Sequence, residues 1–395
     1  MNRAAHPRRL LPMAAMSFLV ACGSSGSSSE NPWSPDGGAG SRADSGPESG
    51  ASITSASSSG SADAAGSSGS GSSSSSSSSS GSGLSGSGSG LDSGSGSDSG
   101  SGSGGSTGRK FVGNISTSGA IRSDFATYWN QFTPENEGKW GSVEGTQGSF
   151  NWTALDAEYQ YTQSHGIVFK QHNFVWGSQQ PNWVAGLSSS AATAAVQTWM
   201  TDFCTRYPNV KLIDVVNEPP PHTTPPYANL IGGAGSSGYD WIVNAFKWAR
   251  AACPNAILIL NDYNNIEYQS QHDHFVSIVQ AIKAAGAPID AVGAQAHAAS
   301  TMATSTVQGM IDSLASQTGL PVYITEYDIS LADDTQQSQV MQSQFTMFWN
   351  DPNVKGITLW GYIEGATWQT NTGLMTSSGT MRPAMTWLVN FLKTH

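Results

Sequence analysis

From residue 109 onward, the chain alternates short apolar runs with longer stretches in which apolar residues recur every three or four positions. The short runs are rich in β-branched and aromatic residues, which is typical of buried strands, and the longer stretches have helical spacing. This pattern predicts eight strands, over residues 111–115, 128–133, 166–174, 210–216, 256–260, 289–294, 321–325 and 356–359. It predicts helices over residues 191–207, 239–252, 272–285, 306–318 and 336–350.

The alternation of strands and helices indicates the class of fold. It implies parallel strands that are joined by crossover helices. Eight such units in about 285 residues fit a (β/α)₈ TIM barrel better than an open doubly wound sheet. No glycine-rich phosphate loop follows the first strand, which disfavours a dinucleotide-binding enzyme. We therefore expect an α/β protein built on a closed barrel, with its reactive side chains where the strands end.

The composition before the barrel is very different. Residues 23–108 contain 38 Ser and 23 Gly among 86 positions. Such a segment has too little apolar surface to offset the entropy lost on ordering its backbone, so it predicts a disordered tether. As a flexible coil it would reach on the order of 50 Å. The net charge of −11 includes −8 on residues 109–395, without a basic stripe, which argues against a nucleic-acid partner.

The N-terminus is typical of an export signal. Three arginines between residues 3 and 9 precede a mostly apolar run over residues 10–21, which is shorter than the roughly 20 residues of a membrane span. The run ends in Leu19-Val20-Ala21-Cys22-Gly23, which resembles a bacterial lipobox. The resemblance implies cleavage before Cys22 and lipidation of its thiol, whereas the alternative is a plain cleaved signal.

These observations predict a signal peptide over residues 1–21, a Ser/Gly-rich disordered linker over 22–108 and the barrel over 109–395. The protein is expected to be exported, either as a cell-envelope lipoprotein or as an extracellular protein. Its only membrane contact would then be the lipid anchor.

Side chains that can bind sugar hydroxyl groups or sugar rings follow most of the predicted strands. Glu218 follows the fourth strand and Glu326 the seventh, so their carboxyl groups are expected on opposite sides of one barrel mouth. Other polar and aromatic side chains lie late in the third strand or after the strands: Lys170, Gln171, His172, Trp176, Asn217, Asn261, Asp262, Tyr263, Gln295, His297, Asp328, Trp360 and Trp368. Paired carboxylates among amides and indoles are the groups that glycoside hydrolysis uses.

Other interpretations of these side chains are less well supported. His172 and His297 could be core histidines, or could join Glu326 in a metal site, but no His-x-x-x-His or clustered Asp spacing supports a metal. We therefore predict neither a metal nor a cofactor. Ser178 lacks the glycine pattern of a nucleophile elbow, which disfavours a serine hydrolase. Three tryptophans are assigned to core packing, namely Trp140, Trp152 and Trp183.

Seven motifs, in order along the chain, resemble the endo-β-1,4-xylanases of glycoside hydrolase family ten. They are Thr-Pro-Glu-Asn-Glu-Gly-Lys-Trp at 133–140, His172, Trp-Gly-Ser-Gln at 176–179, Asp-Val-Val-Asn-Glu at 214–218, Gln-Ala-His at 295–297, Thr-Glu-Tyr-Asp at 325–328 and Gly-Ile-Thr-Leu-Trp-Gly at 356–361. The resemblance covers essentially all of residues 111–395. A single Asn-Glu-Pro is a weak signal, whereas seven ordered motifs are a strong one.

The resemblance implies a retaining mechanism in which Glu218 is the acid/base and Glu326 the nucleophile. It also implies that His297 and Asp328 orient Glu326, and that Asn217 hydrogen-bonds the sugar 2-hydroxyl group. The substrate-binding residues that it implies are Glu135, Asn136, Lys139, His172, Trp176, Gln179, Tyr263, Gln295, Trp360 and Trp368. The expected partners are xylan and xylo-oligosaccharides, bound by a monomer.

Three positions depart from the family's pattern. Gly177 stands where the family usually has His, Ile213 where Trp is common, and Glu364 where Asp is more common. None of the three is among the residues that the resemblance assigns to catalysis. We therefore expect them to affect the strength of substrate binding more than the reaction itself.

Two other functions stay open. One is a carbohydrate-binding or sensory lipoprotein on an inactive barrel, which would need a lost glutamate or a blocked cleft; both Glu218 and Glu326 are present. The other is a hydrolase of the same barrel clan that acts on cellulose or other β-glucans. The segment at 135–140 favours xylan, because it is characteristic of the xylanase family.

Two cysteines in the barrel are candidates for a disulfide. Cys204 lies near the end of the helix before strand four, and Cys253 near the end of the helix before strand five. Consecutive barrel helices are neighbours whose ends share one face, so the Cα atoms could approach within the roughly 4.4–6.8 Å of a bridge. Export to an oxidising compartment favours the bridge, and two buried thiols are the alternative.

Overall fold

A computed structural model describes residues 110–395 of the protein. The predicted signal, the lipidation site Cys22 and the predicted linker lie outside these residues. In the described part of the chain, no helix is both long enough and apolar enough to cross a membrane.

Eight parallel strands close into a barrel in chain order, and β1 pairs with both β2 and β8. The strands are β1 Phe111–Ile115, β2 Gln131–Thr133, β3 Val168–Trp176, β4 Leu212–Asn217, β5 Ile257–Asp262, β6 Ala291–Ala294, β7 Val322–Tyr327 and β8 Val354–Leu359. The predicted (β/α)₈ fold is therefore confirmed.

Nine α-helices accompany these strands within residues 110–395. They are α1 Phe125–Tyr128, α2 Trp140–Val143, α3 Thr153–His165, α4 Ser189–Arg206, α5 Asp240–Ala252, α6 Gln269–Ala284, α7 Thr304–Thr318, α8 Asp334–Asn350 and α9 Pro383–Thr394. The five predicted helices correspond to α4–α8, whereas the apolar pattern does not predict α3 or α9. In α3 the buried positions are Leu155, Glu158 and Thr162. Because two of these three residues are polar, the apolar residues of α3 do not recur at helical spacing.

Several strands extend further toward the barrel mouth than the apolar pattern predicts. β4 ends at Asn217, β5 at Asp262 and β7 at Tyr327. The backbone ladder continues through these residues because its hydrogen bonds do not depend on side-chain polarity. The second strand is shorter than predicted, since Tyr128 lies in α1 and only Gln131–Thr133 pair.

The floor of the barrel is apolar. Leu212, Ile259, Ala291 and Tyr323 form a cluster separate from the larger core between barrel and helices. Phe111 stacks on Tyr323 with ring centroids 5.8 Å apart. A side chain at Gly356 would have no room, because an added Cβ would lie 2.2 Å from the Phe111 ring. This packed floor leaves the opposite end of the barrel for polar side chains.

The structure joins Cys204 of α4 to Cys253, which directly follows α5. Their Cα atoms are 5.5 Å apart, and both residues are buried. The bridge connects the helices before β4 and β5, at the barrel face opposite the mouth.

Reduction of this bridge should lower the melting temperature without changing turnover at moderate temperature, because the bridge lies on the face away from the mouth. The chain-entropy model gives a loss of on the order of 4 kcal/mol for a loop of this length. Thermal unfolding and initial rates of the domain, with and without reductant, measure both effects. Titration of two free thiols in the unfolded, unreduced domain would contradict the bridge.

Glu158 is a buried carboxyl group on the inner face of α3. It is 3% exposed, and neither carboxyl oxygen has a hydrogen-bond partner. Burial, with a smaller contribution from the negative charge of Glu137, raises the pKa of Glu158 to about 10. The side chain is therefore protonated in the folded protein at neutral pH.

Glu158→Gln should stabilise the protein increasingly as the pH rises. Above about pH 4.5 the unfolded chain loses the proton of Glu158, whereas the folded protein keeps it. The free energy of unfolding of the wild type therefore falls by up to roughly 1.4 kcal/mol per pH unit because of this residue. The glutamine does not titrate, so the variant lacks this dependence on pH. Urea unfolding of both proteins at pH 5 and pH 8 measures it, with Glu158→Asp as the control that keeps a titrating carboxyl group. An equal stability difference at the two pH values would contradict the prediction.

Candidate active site

The predicted catalytic and sugar-binding residues lie at the carboxyl ends of the strands, which form the mouth of the barrel. Glu135, Asn136 and Lys139 follow β2; His172 and Trp176 lie in β3 and Gln179 follows it; Asn217 ends β4 and Glu218 follows it; Tyr263 follows β5; Gln295 and His297 follow β6; Glu326 lies in β7 and Asp328 follows it; Trp360 and Trp368 follow β8. Parallel strands bring these ends to one face of the barrel.

Glu326 is a buried carboxylate in contact with an amide and two imidazoles. Its Oε1 accepts a hydrogen bond from Asn261 Nδ2 at 2.8 Å and lies 4.0 Å from His172 Nδ1. Its Oε2 lies 3.3 Å from His297 Nε2. Burial alone would favour the neutral acid, but the charge of His172 and the charge and hydrogen bond of His297 lower the pKa of Glu326 well below its ordinary value. Glu326 is thus held in the ionised form that a nucleophile needs.

The His297 ring lies between two carboxylates. Its Nδ1 is 3.1 Å from Asp328 Oδ2, while its Nε2 faces Glu326. Burial opposes the charged form, yet Asp328 and Glu326 together raise the pKa of His297. Trp368 Nε1 donates to Asp328 at 2.6 Å, and its ring lies against His297. Within residues 110–395, no group of three or more His, Cys, Asp or Glu side chains is arranged to hold a metal ion.

Glu218 accepts hydrogen bonds from three neutral N–H groups. Trp176 Nε1 donates to Oε2 at 2.9 Å, and Gln295 Nε2 and Asn217 Nδ2 donate to Oε1 at 3.2 and 3.3 Å. The backbone of Glu218 has φ +50°, in the left-handed region, and its N–H donates to the Asn261 carbonyl at 2.8 Å. This uncommon conformation at the end of β4 orients the carboxyl group.

Gly177, which departs from the family's pattern, makes room for the loop that holds Glu218. An added Cβ at this position would lie 2.5 Å from Thr223 Cβ and 2.9 Å from the Thr224 nitrogen. Thr223 Oγ1 donates to the Glu218 carbonyl at 2.7 Å and accepts from the Gly177 N–H. The glycine therefore allows this loop to pack directly behind Glu218.

Asn261 is hydrogen-bonded to residues around both glutamates. The sequence placed it among the polar side chains after the strands but assigned it no role. Its Nδ2 donates to Asn217 Oδ1 and to Glu326 Oε1, each at 2.8 Å. Its Oδ1 accepts from Thr325 Oγ1 at 2.6 Å. Gly293 on β6 leaves space for the amide, because an added Cβ would lie 2.3 Å from Asn261 Oδ1. A glycine beside a strand-end amide is the signal that could have pointed to it.

A second group lies deeper in the barrel, and the sequence did not predict that its members contact one another. Asp214 Oδ2 is 2.8 Å from both Lys170 Nζ and His172 Nδ1, and all three side chains are almost completely buried. The Lys170 contact is an ion pair whose angles depart from hydrogen-bond geometry. The rings of His172 and Trp360 meet in a T-shaped arrangement, at 5.2 Å between centroids. This group supports the imidazole that faces Glu326.

In the loop after β2, Lys139 is the centre of a polar cluster. Its Nζ lies 2.8 Å from Gln179 Oε1 and 4.7 Å from the centroid of the Trp176 ring. Gln179 Nε2 donates to Asn136 Oδ1 at 3.1 Å. Burial raises the pKa of Glu135 to about 7, against the attraction of Lys139. The structure thus brings the predicted sugar-binding residues of the β2 and β3 loops together.

Tyr263 is backed by a histidine that sequence reasoning did not select. The His222 ring stacks on Tyr263 with centroids 3.8 Å apart and 12° between planes. His222 Nδ1 lies 2.7 Å from Asp262 Oδ1, and Nε2 lies 2.7 Å from Gln271 Oε1. Burial opposes protonation, yet the hydrogen bond to Asp262 raises the pKa of His222. The stacked His222 ring therefore covers one face of Tyr263 and restricts the orientation of its ring.

The other two departures from the family's pattern have structural partners. Both oxygens of Glu364 accept backbone N–H groups, from Asn371 and from Gly373, each at 3.0 Å. Glu364 therefore closes the loop after β8. Ile213 is fully buried in the core.

Comparison with known proteins identifies a family whose sequence pattern extends over the whole barrel. The sequence model of glycosyl hydrolase family 10 matches residues 101–391. Endo-1,4-beta-xylanase B of Cellvibrio japonicus is 50% identical over 283 residues, which are 71% of this chain and 46% of that relative. This chain thus spans less than half the length of that relative. Endo-1,4-beta-xylanase C of Phanerodontia chrysosporium is 31% identical over 285 residues, 68% of each chain.

A solved structure shows the same fold. Xylanase 10B of Thermotoga petrophila, in complex with xylobiose, has a TM-score of 0.64 and 22% identity, and the match covers 73% of this chain and 96% of that one. At this identity the likeness concerns the fold alone, whereas the sequence matches extend along the whole barrel. The chain belongs to glycosyl hydrolase family 10.

Proposed function

We propose that residues 109–395 form an endo-1,4-β-xylanase, which hydrolyses internal β-1,4-xylosidic bonds of xylan with retention of configuration. One observation carries the proposal: the two carboxyl groups at the mouth have different environments. Glu326 is beside the imidazole of His297, whose pKa is raised by its carboxylate neighbours, whereas Glu218 accepts hydrogen bonds from neutral N–H groups. A pair of carboxyl groups with distinct environments is how such enzymes separate a nucleophile from an acid.

In the first half of the reaction, the Glu326 carboxylate attacks the anomeric carbon. Glu218 gives its proton to the glycosidic oxygen, so that bond breaks as the ester to Glu326 forms. Asn217 Oδ1 already accepts hydrogen bonds from Asn261 and Gln295. One N–H of Nδ2 donates to Glu218 Oε1, and the other is the group presented to the sugar 2-hydroxyl, a contact that strengthens in the transition state.

In the second half, Glu218 acts as the base. It takes a proton from water, whose oxygen attacks the anomeric carbon and releases Glu326 as a carboxylate. The His297 imidazolium between Glu326 and Asp328 stabilises that leaving carboxylate. The enzyme returns to its starting protonation state.

The two relatives named above support xylan as the substrate, and the Thermotoga petrophila structure supports xylo-oligosaccharides as ligands. The non-reducing side of the substrate would lie on the Lys139 cluster and on the rings of Trp360 and Trp368. All the residues of the proposed site come from one chain, so we further propose that the enzyme acts as a monomer.

The purified protein should hydrolyse xylan and a chromogenic xylobioside but not carboxymethyl-cellulose. Glu218→Ala and Glu326→Ala should each remove most xylan hydrolysis without unfolding the domain, because each loses a group that makes or breaks bonds. Azide should restore activity of Glu218→Ala on the activated aryl substrate, since only the base of the second step is then missing. Reducing-sugar release, chromophore release and circular dichroism measure these effects.

The same assays give a different result for each alternative function. Preference for carboxymethyl-cellulose would indicate a β-glucanase, and binding of xylo-oligosaccharides without hydrolysis would indicate a sensory or carbohydrate-binding protein. Activity near that of the wild type in either alanine variant would overturn the assignment of the glutamates.

We also propose that the protein is exported and anchored by a lipid on Cys22, because an apolar run and Leu-Val-Ala precede this cysteine. In its native host the protein should partition into the detergent phase and incorporate labelled palmitate. Cys22→Ala should release it into the soluble fraction while leaving barrel activity unchanged. An unprocessed wild-type chain found entirely in the culture supernatant would count against the anchor.

A further inference from the structure

The loop after β8 is long and carries a tryptophan of the proposed site. It runs from Trp360 to Arg382, and α9 begins at the next residue. Trp368 in this loop donates its indole N–H to Asp328, and its ring lies against His297 with centroids 4.6 Å apart. Because loops are ordinarily more mobile than the strands they connect, the position of this indole depends on what holds the loop.

Two residues of this loop, Asn371 and Gly373, are bound on both sides of the backbone. Their N–H groups donate to the Glu364 carboxylate, each at 3.0 Å. Their carbonyl groups accept from Gln337 Nε2 at 3.0 and 3.4 Å, and from Arg382 Nη1 at 3.1 and 2.6 Å. Four backbone groups of this short segment are therefore held by side chains that come from other segments.

Gln337 and Arg382 also bind the loop after β7. Gln337 Nε2 donates to the Ile329 carbonyl at 3.2 Å, and Arg382 Nη2 donates to the Leu331 carbonyl at 2.8 Å. Gln337 belongs to α8 and is fully buried, and Arg382 Nε donates to Asp334 at the start of that helix, at 2.7 Å. We call Gln337 and Arg382 the β7–β8 clasp, because each of them connects the loop after β7 to the loop after β8.

The β7–β8 clasp lies behind one hydrogen bond of the proposed site. The carbonyls that it binds begin one residue after Asp328 and three residues after Trp368. Asp328 Oδ2 accepts from Trp368 Nε1 at 2.6 Å and lies 3.1 Å from His297 Nδ1. His297 in turn faces Glu326. A shift of one loop against the other would disturb this row, and a misplacement of about 1 Å can cost about 100-fold in rate.

We propose that Arg382 and Gln337 are positioning residues of the reaction. Through the backbone of the two loops they hold the Trp368 indole against Asp328, and thereby the imidazole that faces the nucleophile. A guanidinium suits this role, because its rigid fork of N–H groups binds carbonyls of both loops at once, whereas a lysine offers a single ammonium. The inference rests on the proposed function, to which it adds the residues that fix one loop against the other.

The first test reads the position of the indole without using activity. In purified protein with isotope-labelled tryptophan, the Trp368 N–H resonance is the one that disappears in Trp368→Phe. Arg382→Ala and Gln337→Met should each move this resonance upfield or broaden it, because the hydrogen bond to Asp328 is lengthened or lost. Nuclear magnetic resonance spectra of the wild type and the variants measure the change.

Arg250→Ala is the matched control. Arg250 also donates to two backbone carbonyls, those of Pro254 and Ala256, and it pairs with Asp290. It lies near the end of α5, at the barrel face opposite the mouth. Arg250→Ala therefore removes contacts of the same kind, and it should leave both the Trp368 resonance and kcat/KM unchanged.

The second test is a double-mutant cycle on the aryl xylobioside. Arg382→Ala should lower kcat/KM by about tenfold or more, and Arg382→Lys should give a smaller loss. In the Trp368→Ala background, Arg382→Ala should have almost no further effect, because the indole that it holds is already absent. A role in stability alone would give the same loss in both backgrounds. Thermal unfolding shows which variants are folded, and Arg382→Lys replaces Arg382→Ala in the cycle if the alanine variant does not fold.

The two tests separate this inference from the proposed function. An unchanged Trp368 resonance in both clasp variants, or losses that add in the cycle, overturns the inference and leaves the proposed function intact. A wild-type protein that hydrolyses neither xylan nor the aryl xylobioside overturns the proposed function. The resonance does not depend on activity, so it still decides whether the clasp holds the indole.

Discussion

The pairing of buried charges around Asp214 is the constraint on which the barrel mouth depends. Lys170 and His172 both lie 2.8 Å from one Asp214 oxygen, almost without contact with solvent. Removing one partner from such a buried group typically costs about 3–5 kcal/mol, so the three residues act as a unit. His172 faces Glu326, and His297 follows on its other side. Glu326 therefore lies in a continuous row of ionisable side chains that begins at Lys170 in the barrel interior.

The fold and the outline of the site could be predicted because periodic apolar runs report burial directly. The order of strands, the five long helices and the polar residues after each strand all followed from this pattern. The exact ends of the strands did not. Where Asn217, Asp262 and Glu326 continue a strand, the polarity of the side chain hides a backbone that is still paired.

The contacts of several other site residues could not be predicted, because these contacts come from the register of the barrel and not from local sequence. Asn261 matters because the barrel places it beside both Asn217 and Gly293, which are 44 and 32 positions away along the chain. The ion pair of Lys170 with Asp214 depends on the pairing of β3 with β4, which places Asp214 opposite His172, two residues along the strand from Lys170. His222 lies in a proline-rich loop that has no periodic signal, and only the structure shows that it supports Tyr263.

The Cys204–Cys253 bridge also changes what a cut in the backbone would do. The sequence between the two cysteines includes β4, Glu218 and an exposed, glycine-rich turn over residues 232–238, the kind of loop that proteases cleave first. A molecule cut in this turn remains one covalent species, because the sulfur atoms join the two pieces. The strand that carries Glu218 cannot diffuse away from the rest of the barrel, so such damage is local and the closed ring of strands persists.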